Sequence, residues 1–432
     1  MTVFSILKDC FNFKRNSLAI FVRSSDRYKP IDGIRGLSML YVLITHALVM
    51  FIIDGDPAVI QFVQTLPPYL QWLLMGDKAV DAFFVISGFL IGEILFRQLK
   101  RTQDIAFGQF YLRRLLRLTP VYWVFLGLFL VFAVEGVENE NIFYYAIYFN
   151  NFLEEQHRYL PWLWSLAVEE QFYLVFPLII YVLFKWTKSP LKLLIFLLVL
   201  SLTIRFVILW LNPELLVSGD VLIISDSPVH KLYNQLLYIN TYTRFGPFIM
   251  GAMIAYCWVF YQSVLLSKLN KTNQYRLLFI LLLFTVGFAL LPIYRPSELP
   301  NWVYYIYHTA HRHVFAFMVC IVILISLNPL GKSRWISKFL SSRWIYPFAQ
   351  LSYPMYLIHL PLLLMTFTLI KSVYPEFIFS LPALFILSFT CLLPILIVAI
   401  TLNLFFEAPF IRLRFYLDKP KGRYKLVEEK LR

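Results

Sequence analysis

Apolar residues run through this chain in long blocks separated by short polar ones. About ten blocks stand out: 33–53, 77–97, 118–134, 163–184, 191–211, 235–260, 277–294, 313–328, 345–370 and 379–405. Each comes near the roughly 20 residues that a helix needs to cross a bilayer. No series of alternating apolar and polar positions is available to build a closed barrel. Helices are then the remaining way to satisfy backbone polar groups in hydrocarbon. The predicted fold class is an all-α integral membrane protein with about ten transmembrane helices.

Composition sharpens this picture. Of the 432 residues, 59% are apolar and only 15% are charged, against about 45–50% and about 25% in soluble domains. A single soluble domain, a disordered chain, collagen and a coiled coil are excluded. The net charge of +14 would point to nucleic acid in a soluble protein. Here the bases concentrate in alternate loops. The N-terminal segment carries Lys8, Lys14, Arg15, Arg23, Arg27 and Lys29, the next such loop Arg97, Lys100, Arg101, Arg113, Arg114 and Arg117, and the tail Arg412, Arg414, Lys419, Lys421, Arg423 and Lys425. Loops between them are poor in base and hold Glu135, Glu138, Glu154, Glu155, Glu214, Asp220 and Asp226. The positive-inside rule then predicts that both termini are cytoplasmic.

The first 30 residues lack an apolar core followed by a cleavage site, so no removable signal peptide is predicted. Phe4, Leu7 and Phe11 share a helical face with Lys8, Lys14 and Arg15 around it. That pattern fits a helix lying on the inner leaflet, or equally a disordered tail. The run Ile142 to Phe152 is read as a segment dipping into the membrane. Cys10, Cys257, Cys320 and Cys391 form no close pair, so neither a disulfide framework nor a thiolate zinc site is indicated.

Ionisable residues inside a span are costly and mark function by default. His46 lies about 18 Å into the first span; it is either a polar residue satisfied by a neighbouring helix or a functional group. Arg35 precedes it by eleven positions. Eleven helical steps return to within about 20° of the same direction, so the two side chains share one face about 16 Å apart. Asp32 falls near that face and is positioned to orient Arg35. Arg114 and Arg117 are i,i+3 neighbours, suited to a phosphate through their guanidinium forks or to anionic lipid headgroups. Trp162, Trp164, Ser165, Glu169 and Glu170 cluster where the fourth span begins. They read as a polar cavity lining, or as an aromatic belt beside a helix start. His308, His311 and His313 sit among Trp302, Tyr304, Tyr305 and Tyr307; no carboxylate or cysteine completes a metal site, and interfacial anchoring or sugar stacking fits better. His359, followed by Pro361, is read as satisfying backbone groups freed at the proline.

These segments carry a resemblance. IDGIRGLSMLYVLITHA, DAFFVISGFLIGEIL, FYLRRLLRLTPVYW, LWSLAVEEQFYLVFPL, SYPMYLIHLPLL and FEAPF occur in that order. Together they resemble the membrane-bound acyltransferase-3 family of O-acyltransferases, over about residues 28 to 412. The resemblance places the family's Arg-x10-His motif on Arg35 and His46, its Arg-x-x-Arg motif on Arg114 and Arg117, its Ser-Gly-Phe-Leu turn on Ser87 to Leu90, and its glutamate on Glu169 or Glu170, with Glu169 in register. It implies a transmembrane domain over 31–411 between a cytoplasmic segment (1–30) and a basic cytoplasmic tail (412–432). The expected type is membrane-only, without a soluble esterase-like domain.

The implied activity is transfer of an acyl group, acetyl by expectation, from cytoplasmic acyl-CoA to a hydroxyl of an extracytoplasmic glycan such as lipopolysaccharide O-antigen or another surface polysaccharide. His46 and Glu169 are the expected catalytic residues. Arg35, Arg114 and Arg117 are the expected acyl-CoA ligands, and Trp162, Trp164 and Glu170 the acceptor-side candidates. Acetyl-CoA enters as co-substrate, with no bound cofactor or metal and no nucleic-acid partner. The expected location is the bacterial inner membrane. The pantetheine arm is comparable in length with the Arg35–His46 rise. His46 would act as general base or would itself carry the acyl group. The rival reading is a secondary transporter or exporter, which more often shows paired halves with interrupted helices; no internal repeat is visible.

Overall fold

Hydrocarbon offers no partner for backbone N–H and C=O groups, so each long apolar block closes its own hydrogen bonds as a helix. In a computed structural model of the chain, residues 3–23, 28–132, 139–187, 189–224, 227–294 and 299–417 are described, and none of them is in a strand. The long helices are α1 (Lys29–Ile53), α2 (Asp77–Thr102), α3 (Phe107–Phe132), α4 (Trp164–Trp186), α5 (Pro190–Leu211), α6 (Gly246–Phe260), α7 (Lys271–Leu290), α8 (Asn301–Leu327), α9 (Ser352–Val373) and α10 (Leu381–Leu402). Among the described residues nine helices are long and apolar enough to cross a membrane. A tenth span results if α6 is counted with Gln262–Lys268, to which it is bent by 104°. The all-α membrane architecture follows the apolar blocks closely. Residues 418–432, most of the expected basic tail, lie outside the described residues, as do Arg27, Glu135, Glu138 and Asp226.

Three boundaries differ from the sequence expectation, each for a physical reason. The third span begins at Phe107 rather than 118 and the eighth at Asn301 rather than 313. Hydropathy counts Arg, His and Tyr against a span, yet His308, His311 and Arg312 are buried in the protein, Arg114 and Arg117 line an internal cavity, and all remain helical. The sixth block, 235–260, is not one helix: Asn234–Tyr238 forms a π turn, Thr241–Arg244 a short helix, and α6 starts only at Gly246. Gly246-Pro247 explains the late start, since proline is favoured in a first helical turn but disrupts an interior.

The N-terminal segment forms two short helices, Val3–Cys10 and Phe13–Phe21. Asn12 separates them and caps the second, its side chain accepting from the Arg15 N–H at 3.0 Å. Phe4, Leu7 and Phe11 are exposed, in keeping with a helical face turned to an apolar phase. The Ile142–Phe152 run is a short helix, Asn139–Ala146, followed by a 3-10 turn.

Two hydrophobic clusters build the interior. One joins residues of α1, α3, α9 and α10, the other residues of α2, α4, α6 and α8. The tightest crossing is α2 on α6. A Cβ on Gly88 would fall 2.0 Å from the Phe248 carbonyl oxygen, and one on Gly251 2.0 Å from that of Val85. Small residues permit such backbone approach between membrane helices. Phe248 then stacks between Phe84 and Phe172, with ring centroids at 4.3 and 4.2 Å. Gly251→Ala is expected to destabilise the bundle by about 1–3 kcal/mol through overpacking. Gly127→Ala, where a Cβ meets nothing within 4 Å, is expected to be neutral or stabilising. Thermal unfolding of the detergent-solubilised variants measures both.

Candidate functional site

The seam between the two clusters holds two adjoining cavities. The first, about 780 Å³, is lined by Arg35 from α1, Ser87 from α2, Arg114 and Arg117 from α3, Glu169 and Tyr173 from α4, and Ser352 and Tyr356 from α9. α3 starts early enough to carry both of its arginines as helix residues one turn apart. Arg35 donates to Ser352 Oγ at 2.9 Å. The Arg114 guanidinium lies 5.8 Å from the Phe110 ring centroid and 5.5 Å from that of Tyr173. Among the described residues none of Arg35, Arg114 and Arg117 makes an ion pair, and Arg114 Nε is buried without a partner. Glu169 Oε1 accepts from the hydroxyls of Ser87 and Tyr173, which lie 3.0 Å apart. Asp32, expected to orient Arg35, pairs with Arg23 at 3.3 Å and lies near enough to Arg35 for the two charges to attract.

The second cavity, about 1280 Å³, contains His46, Asp77, Trp162, Trp164, Tyr233, His308, His311 and Arg312 in its wall. Val80 and Tyr356 line both cavities, so these two side chains stand at the boundary between them. His46 Nδ1 is 2.9 Å from the Val42 carbonyl oxygen. A carbonyl only accepts, so this contact holds the proton on Nδ1 and leaves the Nε2 lone pair available. His359 packs edge-on against His46 with ring centroids 4.9 Å apart. Its own Nδ1 is 2.7 Å from the Tyr356 carbonyl oxygen.

A buried ionic network frames the second cavity. Asp81 is fully buried; its two oxygens accept from Arg244 and Arg312, each at 2.9 Å. Arg312 also reaches Asp77 at 2.9 Å, and Lys78 pairs with Asp77 at 2.8 Å. Arg244 lies 4.8 Å from the Trp164 ring centroid. Buried charges survive in a low-dielectric interior when paired and hydrogen-bonded in this way. Arg205 is different: it donates to the carbonyls of His308, Thr309, Leu237 and Thr243. Leu237 and Thr243 flank the break before α6, so this guanidinium satisfies backbone groups that the interrupted helix frees.

The sequence-predicted residues therefore fall into two groups. Arg35, Arg114, Arg117 and Glu169 meet in the first cavity. His46, Trp162 and Trp164 meet in the second. Glu169, grouped with the tryptophans in the sequence, shares the cavity of the arginines. Glu170 lines neither cavity. Trp162 and Trp164 are buried rather than belted at a surface. The carbonyl of Leu357, which Pro361 cannot hydrogen-bond, is taken by the Trp162 indole at 3.2 Å and not by His359. His308, His311 and His313 are interior residues, the first two on the wall beside His46. Asp77, Asp81, Arg244 and Arg312 were not singled out from the sequence. Their signal was present, since Asp81 and Arg244 are ionisable residues within predicted spans.

A family model described as an acyltransferase domain, the acyltransferase-3 type, matches residues 28–401. The chain belongs to this family. Among its acyltransferase relatives, the O-acetyltransferase OatA of Staphylococcus aureus (strain NCTC 8325 / PS 47) is 29% identical over 364 residues, covering 78% of this chain and 51% of that protein. The peptidoglycan O-acetyltransferase OatA of Listeria monocytogenes is 27% identical over 376 residues, covering 82% and 52%. The chain thus spans about half the length of the curated relatives it matches. No solved structure matches it.

Asp81→Asn is expected to cost about 3–5 kcal/mol, because it withdraws the charge shared by two buried guanidiniums. Thermal melting in detergent, followed by fluorescence-detected size exclusion, checks this. An unchanged melting temperature would remove Asp81 from its central place in the network.

Proposed function

We propose that this protein is a transmembrane O-acyltransferase. It moves an acetyl group from acyl-CoA, held at the first cavity, to a hydroxyl of an extracytoplasmic glycan admitted to the second. The observation that carries this reading is the adjacency of two unlike chambers. One has three arginines that make no ion pair among the described residues, and the other has an imidazole whose Nε2 lone pair is left available by the Nδ1 contact. Acyl-CoA is an anionic donor made in the cytoplasm, and unpaired guanidiniums in a buried wall suit its phosphates. The base-rich loops, with both termini, then lie on the cytoplasmic side of the bacterial inner membrane.

In this scheme the thioester threads past Val80 and Tyr356 while the nucleotide end stays with the arginines. The acceptor hydroxyl attacks the thioester carbonyl as His46 Nε2 takes its proton. The C–S bond then breaks, the acetyl group stays on the acceptor oxygen, and the imidazolium returns its proton to the thiolate to give free CoA. The proton held at Nδ1 by the Val42 carbonyl fixes the tautomer that this step needs. Glu169 acts from the donor side, holding Ser87 and Tyr173 in the first wall. Aromatic side chains and hydrogen-bonding groups in the second cavity suit a sugar. The Listeria relative is named for peptidoglycan; for this chain we favour a surface polysaccharide such as lipopolysaccharide O-antigen.

The test is transfer of labelled acetyl from acetyl-CoA to glycan in membranes, with mass spectrometry of surface glycans. His46→Ala is expected to lower transfer by about 10²–10⁴-fold while insertion and melting temperature are retained. Arg114→Ala is expected chiefly to raise the donor KM. Normal transfer by the His46 variant, or an Arg114 effect confined to acceptor choice, would overturn the assignment.

A further inference from the structure

A third recess opens beside the arginine chamber. It is a groove of about 1030 Å³ whose wall includes Gln98, Phe110, Arg113, Arg114, Arg414 and Phe415. Arg114 lines both this groove and the first cavity. The two recesses therefore meet across one guanidinium. Arg414 comes from the helix Ala408–Leu417, far along the chain, which packs on α3.

We propose that this groove holds the phosphorylated nucleotide end of the donor, with Arg113 and Arg414 on its phosphomonoester. The inference rests on the acyl-CoA reading above and adds a subsite to it. Three features carry it. Arg113 and Arg114 are consecutive on α3 and both line the groove, Arg114 lining the first cavity as well; Arg117, about 4.5 Å further along the helix, lines the first cavity and not the groove. One helix thus lays out a ladder of guanidiniums from the groove to the inner chamber. Second, the donor carries two separated phosphate groups, a diphosphate and a ribose 3′-phosphate. The inner chamber supplies Arg35, Arg114 and Arg117 for the diphosphate, and the groove supplies further arginines for the dianionic monoester, which favours forked donors. Third, Phe110 and Phe415 give the groove aromatic faces against which a purine packs.

A phosphate bound here has two sources, the ribose 3′-phosphate of the donor or an anionic lipid headgroup. The experiment separates them. The purified full chain is reconstituted in nanodiscs of phosphatidylcholine alone or with phosphatidylglycerol. Radiolabelled acetyl-CoA is displaced by CoA or by 3′-dephospho-CoA. For the wild type, dephospho-CoA is expected to bind about tenfold more weakly than CoA in both lipids. Arg113→Gln and Arg414→Gln are each expected to weaken CoA to the dephospho-CoA level while leaving dephospho-CoA unchanged, which also reports that the variants are folded. Equal loss for both ligands, no loss, or an effect seen only with phosphatidylglycerol would overturn the subsite. If wild type binds acetyl-CoA without discriminating the two competitors, the subsite falls and the donor reading stands. If it binds no acetyl-CoA, both fall.

Discussion

The constraint on which this molecule depends is that charge buried in a membrane bundle has to be matched. Around His46 the buried charges are paired with one another within the protein. Asp81 spends both oxygens on Arg244 and Arg312, and Asp77 holds Arg312 and Lys78. Such a network fixes α2, the short helix before α6 and α8 to one another. Its cost in desolvation is offset by geometry, since each ion pair is at hydrogen-bond distance. The neighbouring chamber breaks the pattern. Among the described residues Arg35, Arg114 and Arg117 gather there without an ion pair. Within one fold, then, one chamber is electrostatically closed and the other is open to an anion. That contrast, more than any single motif, separates a place where charge holds the structure together from a place where charge awaits a ligand.

Backbone groups obey the same constraint. The interrupted sixth span frees carbonyls, and Arg205 binds those of Leu237 and Thr243. Pro361 frees the Leu357 carbonyl, and the Trp162 indole binds it. Both repairs come from other parts of the chain, so each helix irregularity is also a tertiary contact. They lie along the seam where the cavities run. The backbone groups freed by the interruption and by the proline are thus re-satisfied from the side, as hydrocarbon requires.

Much of the fold was legible in the sequence because hydrocarbon leaves the chain few choices. Blocks of apolar residues become helices, and the spans at α1, α2, α9 and α10 fall near their expected places. The errors have one origin. Hydropathy treats every polar residue as a loop, so it cut α3 short before Arg113, Arg114 and Arg117 and cut α8 short before His308, His311 and Arg312. These residues are buried in the protein or line its cavities and groove, and a one-dimensional average has no term for that. The Arg35–His46 relation was readable because both lie on one helix and the 3.6-residue period fixes their bearing. The Asp81–Arg244–Arg312 network was not, because its members are separated by 163 and 231 positions. Sequence marks each as costly without saying which pays off the other. Glu169 shows the same limit: its neighbours along the chain are the tryptophans, but the helix turns it toward Ser87 and the arginines.

The boundary at Val80 and Tyr356, which the proposed reading makes the passage for the thioester, adds a final step. The Tyr356 hydroxyl is already engaged, 2.6 Å from Ser165 Oγ and 3.1 Å from the Trp162 carbonyl oxygen. Trp162 in turn is tied to Leu357, so this boundary residue is held through α9 and the segment leading into α4 together. A wall fixed from both sides resists widening. Under the proposed reading that rigidity has a use. A slender thioester arm passes a narrow neck, whereas a nucleotide held by guanidiniums does not. The donor is then retained on one side while only its reactive end reaches His46. A transporter needs the opposite property, a neck that opens for its whole cargo. The fastening of Tyr356 therefore favours transfer of a group across the seam over passage of a molecule through it.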